Sequence, residues 1–257
     1  MSYIGEFANL YDKIFAKKNY IQEISFVRNV YNSFGDLELK NILDFGCGTG
    51  THSFLLSQEV DANITSFDIS PDMISIANEK YGNSKNCTFH SDKNEILDYK
   101  DRFDLVISMF YVVNHIHKMS DLEEYFDIIA YKIQKYGIFI FDCWNGVAAL
   151  RDPPTVAIKK RYADADVKII TECIPENDVL NSTVLMKNNV KVYEKDELIN
   201  KFSYTLKHVL WSPYLLSQFL EQRGFNILKL VKCYDINQKA KYDDYKIVYV
   251  CKYEGKK

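Results

Sequence analysis

No apolar run in the 257-residue chain is long enough to cross a bilayer. The longest, LVISMFYVV at 105–113, falls well short of the roughly 20 residues that a spanning helix needs, so no membrane partner is predicted. The opening MSYIGEFANLYDKIF has neither a basic leader nor an apolar segment behind it, which predicts an untargeted, cytoplasmic protein. An excess of one charge is missing too. The formal net charge is −3, and the basic stretches FAKKNY and EGKK are short. Both read as solvated, and no nucleic-acid surface is expected. The six cysteines (47, 87, 143, 173, 233 and 251) form no CxxC and no metal-ligand spacing. Reduced thiols and no metal follow. What remains is 47% hydrophobic and 26% charged, enough for one large core.

Strand and helix patterns alternate through the first half. Ile24, Val27, Tyr31 and Phe34 make a helical stripe. NILDF reads as a strand, THSFLLSQEV as a helix and ITSFDI as a second strand. SPDMISIANEKY predicts a helix with Ser70 as N-cap and Pro71 at the first helical position. After the short strand CTFH, FDLVISMF lacks polar alternation, as a central parallel strand should. SDLEEYFDIIAYKI offers a capping box, Ser120 with Glu123, and an inward face of Leu122, Phe126, Ile129 and Ile133. YGIFIFDCW is another central strand. The alternation stops after Trp144, and β-branched stretches separated by polar turns fill 155–207. SPYLLSQFLEQRG restores a helix, and FNILKLVKCY and YKIVYVCKY close the chain as a hairpin. The expected fold is α/β: a Rossmann-like, doubly wound sheet with an inserted small antiparallel β-sheet. The core is assigned to 1–152 and 208–257 and the insertion to 153–207.

The first strand runs into NILDFGCGTG, with glycines at 46, 48 and 50. Ligands of doubly wound sheets sit at strand carboxyl ends. Gly46 and Gly48 let backbone pass under a ligand, and Gly50 opens the next helix at its anion-attracting end. A dinucleotide fingerprint, GxGxxG, would need glycine where Thr51 stands. Asp44, inside the motif, suits a ligand bearing an amino group. Asp68 follows 24 positions later (68 − 44) at the next strand end, where a carboxylate accepts both ribose hydroxyls. Asp92 ends the third strand, within reach of an adenine amino group, and Met73 is placed to cover the base.

ILDFGCGTGTHS, SFDISPDM, FHSD and FDLVISMF resemble, in order, the motifs of class I S-adenosylmethionine-dependent methyltransferases over roughly residues 40–145. The resemblance implies a seven-stranded sheet whose last strand is antiparallel, with S-adenosyl-L-methionine as cofactor. It adds Tyr11, Tyr20, Cys47, Ile69 and Met109 to the cofactor contacts. YDKIF…NY, MFYVVNH, IFDCWNG and the insertion are further similar to small-molecule methyltransferases, above all those acting on nucleotide-linked amino sugars and surface-polysaccharide precursors. A small, phosphorylated or nucleotide-linked acceptor, a sugar or a surface-polysaccharide modifying group, is thus implied, methylated at a hydroxyl or amino group.

Such an acceptor arrives protonated, and His115, just past the fourth strand, is the expected base because an unshifted imidazole titrates near ~6.5. Tyr11 is expected to close over the site and donate a hydrogen bond. Tyr111, Asn114, Asp142, Trp144 and His208 are candidate acceptor contacts, with Lys159, Lys160 and Arg161 in IKKRY for a phosphate. His52, His90 and His117 lack partners at recognisable spacing and are expected at the surface or at caps. The insertion is expected to roof the pocket or to build a homodimer. Two rival readings stand beside this one: a non-catalytic S-adenosylmethionine-binding module, and a nicotinamide-dependent oxidoreductase, which Thr51 disfavours.

Overall fold

Short apolar strands connected by amphipathic helices set the architecture in a computed structural model that describes residues 5–256. Helices α1 (Glu6–Ile14) and α2 (Tyr20–Phe34) precede β1 (Asn41–Phe45). There follow α3 (Thr51–Ser57), β2 (Asn63–Phe67), α4 (Pro71–Tyr81), β3 (Cys87–His90), α5 (Lys93–Asp98) and β4 (Phe103–Ser108). A 3₁₀ turn (Val112–His115) leads to α6 (Met119–Lys132), β5 (Ile133–Trp144) and α7 (Gly146–Arg151). The second half holds β6 (Ile158–Ala163), β7 (Val167–Asp178), β8 (Thr183–Glu194), β9 (Glu197–Val209), α8 (Pro213–Gln222), β10 (Phe225–Lys232) and β11 (Lys246–Tyr253).

Seven strands form one sheet in the order β10-β11-β5-β4-β1-β2-β3. Only β11 opposes the rest, pairing antiparallel with both β10 and β5. Because side chains alternate across a strand, β5 sends Phe139, Phe141 and Cys143 into a core under α6 and α8. Its neighbours Ile138 and Ile140 enter the opposite core, under α2 and α4. Burial on both faces explains the unbroken apolar runs. Strand order reverses between β1 and β4, so the turn after β1 opens into the crevice where such sheets take ligands.

The caps show where local sequence governs. Ser70 accepts from Met73 N at 3.4 Å and Ser212 from Leu215 N at 3.2 Å, each with proline next in the chain. The predicted capping box does not form. Helix α6 starts one residue before Ser120 with Lys118 as its N-cap, and the Ser120 hydroxyl turns to Asp121 at 3.0 Å. Ile133 is buried as expected, but as the first residue of β5.

Strands β6-β7-β8-β9 make a separate four-stranded antiparallel sheet, and β9 runs past the predicted boundary at 207 to Val209. Its apolar face, including Ile169, Val190, Phe202, Tyr204 and Leu206, packs on α1 and Met73. The helix is fastened from below as well. Asp12 accepts from Thr49 Oγ1 and from Lys80 Nζ, both at 2.7 Å. The insertion therefore covers α1, and α1 covers the glycine turn. All six cysteines are free. No helix among the described residues is long and apolar enough to cross a membrane.

Candidate active site

The turn after β1 is hung from the neighbouring strand tip. Phe67 O accepts from Gly46 N at 2.7 Å and from Cys47 N at 2.9 Å. The glycines serve different ends. A Cβ on Gly46 would lie 2.5 Å from Val112, and one on Gly50 2.6 Å from Phe89, so both are required by packing. Gly48, at φ +56°, has nothing within 4 Å of that position. Its backbone faces open space, and its N–H donates to Asp68 Oδ2 at 2.8 Å. The other Asp68 oxygen accepts from Ser70 N at 2.9 Å. Burial pushes the Asp68 carboxyl up to about 6 despite these two bonds.

Asp44 lies beneath the turn. One of its oxygens accepts from Ser53 Oγ at 2.6 Å, while Oδ1 is buried without a partner. Burial raises its carboxyl above the ordinary range. A buried acceptor without a donor is rare in folded proteins, and here it lies beside a turn whose backbone faces open space. Tyr11, Tyr20, Gly46, Cys47, Gly48 and Met109 line one small cleft together with Thr49, Thr51, His52 and Phe110. Ile69, next to Asp68, is 82% exposed and offers an apolar face. These features fit an adenosyl guest with a cationic tail: a free carboxylate oxygen, an open backbone cradle, a carboxylate at the tip of the next strand and an apolar flank.

Two cofactor assignments meet other roles in the structure. Met73 is buried between α1 and the inserted sheet, so its side chain packs under the cover instead of lying exposed for a base. Asp92 is exposed and caps α5, with Oδ1 accepting from Asn94 N at 2.9 Å.

Beyond Met109 the chain takes a strained path: Phe110 and Tyr111 both have left-handed φ, 73° and 65°. Asp142 braces this turn, accepting from Tyr111 N at 2.8 Å and from the Tyr234 hydroxyl at 2.5 Å. Both of its oxygens are thus engaged inside the protein, which corrects the expectation that Asp142 grips an acceptor. Asn114 is corrected likewise. Fully buried, it donates to Val209 O and accepts from Trp144 N, both at 2.8 Å, tying the 3₁₀ turn to β9 and β5. Tyr111 and Trp144 face each other edge-on at 6.4 Å. Trp144 meets His208 at 4.8 Å, and His208 meets His115 at 4.5 Å. Burial drives the His115 imidazole well below its usual pKa and His208 down to about 4. Both rings are therefore neutral at neutral pH, and the expectation of an unshifted His115 is corrected. His208 Nδ1 is buried without a partner.

Arg161 does not reach this region. Along β6, Lys160 and Tyr162 face α1, Lys160 lying over the Phe15 ring at 4.5 Å and Tyr162 beneath Lys13. Period-two alternation puts Arg161 on the opposite, exposed face.

The comparisons with known proteins agree with this geometry. Residues 42–136 match the methyltransferase domain family. The match and the S-adenosylmethionine-dependent structures described next support S-adenosyl-L-methionine as the cofactor. YqeM of Bacillus subtilis (strain 168), named for methyl transfer, is 29% identical over 182 residues, 70% of each chain. The crystal structure of an S-adenosylmethionine-dependent methyltransferase from Clostridium acetobutylicum ATCC 824 superposes with a TM-score of 0.79 at 24% identity, covering 97% of this chain and 98% of that one. That of CalS10, an S-adenosylmethionine-bound amino pentose methyltransferase from Micromonospora echinaspora, gives 0.75 at 13% identity, with 97% and 98% covered.

One part of the cleft has no counterpart in the sequence reading. His52, expected at the surface or a cap, is 5% exposed, and its Nε2 is 2.6 Å from Glu23 Oε2. Lys18 pairs with the same carboxylate and stacks over the rings of Tyr20 at 4.7 Å and Phe110 at 4.5 Å. Burial alone would raise the Glu23 carboxyl, but bonding to His52 and the charge of Lys18 outweigh it and hold it low. Residues far apart in the chain meet here, and no spacing rule announces them. His117 and His90 fit the expectation better: the first is half-buried against Lys207 O at 3.0 Å, the second pairs with Glu95.

Proposed function

We propose that the protein transfers a methyl group from S-adenosyl-L-methionine to a nitrogen or oxygen of a small acceptor, with a sugar amine or hydroxyl as the favoured class. The observation that carries this is the adjacency of two spaces: a cofactor cleft ending at Met109 and Phe110, and a wall of Tyr111, Trp144, His208 and His115 beginning at the next residue. The likeness to CalS10, which includes the insertion within its 97% coverage of this chain, supports the sugar class.

Asp68 accepts the ribose hydroxyls, Ile69 packs on the base, and Asp44 Oδ1 answers the positive charge of the methionyl end. Bound cofactor supplies a methyl group already activated on sulfur. The protein's share is positioning and exclusion of water, which is worth ~7–11 kcal/mol of barrier. Tyr11, held under the inserted sheet, closes the cleft. His115 is neutral and takes a hydrogen bond from the acceptor's N–H or O–H, aligning the lone pair and receiving the proton.

The test is release of S-adenosylhomocysteine from purified protein offered amino sugars and hydroxylated sugars, free, phosphorylated and nucleotide-linked. Turnover with one class, lost in His115→Ala while cofactor still binds, is the expected result. Silence across the panel, or full activity in His115→Ala, contradicts the reading.

A further inference from the structure

A second cavity, of about 480 Å³, opens between the last turns of α3 and α4 and the loop into β3, outside the cofactor cleft. Phe54 and Tyr81, stacked at 4.3 Å and 10° from parallel, give it an apolar side. Among the described residues no carboxylate lines it. Asn83, Lys85 and Asn86 bring side-chain N–H groups that bond to no protein partner among the described residues, and Lys80 adds another. A wall rich in donors and free of acids selects an anion. Space of this size takes a small organic molecule.

Lys80 also belongs to the cover of the cofactor cleft. Its Nζ lies 2.7 Å from Asp12 Oδ2 on α1 and 3.5 Å from Thr51 Oγ1, and Thr51 lines that cleft. The other Asp12 oxygen holds Thr49 of the glycine turn. One side chain therefore lines the outer cavity and latches α1. With 30% of the Lys80 side chain and 38% of the Asp12 side chain exposed, the pair is of the weak, solvent-screened kind that a competing anion exchanges readily.

We propose that this cavity is a regulatory site for a small organic oxyanion, a phosphate ester or a carboxylate, that is not the methyl acceptor. The ligand's body lies against Phe54 and Tyr81, and its oxyanion draws Lys80 off Asp12. Helix α1 then loses a tie to α4, and the cover over the glycine turn opens more readily. The coupling is reciprocal, so whatever closes α1 weakens the anion by the same factor.

The test is calorimetric titration of the full-length protein with phenyl phosphate and, separately, with benzoate, which share a ring and differ in the oxyanion. Hydrogen exchange of the α1 amides is read with and without each. One of the two should bind at a single site. Lys80→Gln and Lys85→Gln should each weaken it about three- to fivefold, while Lys135→Gln, exposed at the start of β5, should change it less than about 1.5-fold. Bound anion should quicken exchange along α1 about two- to fivefold in wild type. Lys80→Gln should show that faster exchange from the outset and respond no further. Tighter phenyl phosphate assigns a phosphoryl group, tighter benzoate a carboxylate. Absence of binding, equal affinity in wild type and Lys85→Gln, or α1 exchange indifferent to bound anion overturns the proposal. Both measurements are made without cofactor, so they decide the site whether or not the methyl-transfer reading holds.

Discussion

The backbone N–H of Tyr111 donates to Asp142 at 2.8 Å, and that bond holds a turn in which two successive aromatic residues are left-handed. Such conformations cost of order 1–3 kcal/mol per residue and persist only when the surroundings over-determine them. Asp142 and Tyr234 supply that constraint, and in exchange Phe110 faces the cofactor cleft while Tyr111 faces Trp144. Asp142→Ala should lower the unfolding free energy by about 2–4 kcal/mol, since it leaves a buried N–H and a buried hydroxyl unpaired. Asp142→Asn keeps an acceptor for Tyr111 and should lose far less. Urea unfolding of both variants measures the difference; equal stability would show that the turn does not depend on this brace.

Gly48 and Gly50 separate binding from folding. Alanine at Gly50 would push into Phe89 at 2.6 Å and Ala77 at 3.1 Å, so Gly50→Ala should destabilise the fold by roughly 1–3 kcal/mol. Alanine at Gly48 meets no protein atom. It should cost about 1 kcal/mol for its positive φ, yet weaken cofactor binding more than tenfold by filling the cradle. Melting temperature and cofactor affinity, measured on both variants, should rank them in opposite orders.

Much of the fold was legible because its rules are local. Central strands buried on both faces are apolar runs, and Ser-Pro pairs start helices. The capping box failed because Met119 prolongs α6 backwards by one residue, which no periodicity forbids. Helix α1 was missed although it carries a signal: Phe7, Ala8, Tyr11 and Ile14 share one helical face. The glycine turn and Asp68 were legible as a motif. The Lys18–Glu23–His52 cluster was not, because three-dimensional contact alone brings it together. Arg161 and Lys160 differ by one position, and that single step exchanges the two faces of a strand.

Acid should loosen the acceptor wall. His208 titrates near about 4 when folded, below an ordinary 6.5, because burial disfavours its charged form. The unfolded chain therefore binds more protons between those values, so the stability is complete above pH 6.5 and is lost as pH falls toward 4. His208→Gln should show a smaller drop in melting temperature between pH 7 and pH 5 than wild type. An unchanged drop would place the acid-sensitive group elsewhere.

Asp68 carries the central claim. Its carboxyl, raised from 3.8 to about 6 by burial, is the form that accepts ribose hydroxyls only once ionised. Cofactor affinity should be level above pH 7 and fall as pH drops through 6, by up to about tenfold per unit. The most direct measurement is calorimetric binding of S-adenosyl-L-methionine at pH 8 to wild type and Asp68→Ala. One site per chain in wild type, with affinity reduced about 100-fold in a variant that melts normally, is the expected result; two chargeable hydrogen bonds are at stake. Equal affinity in the two proteins, or no binding to wild type, would contradict a cofactor site at the tips of β1 and β2.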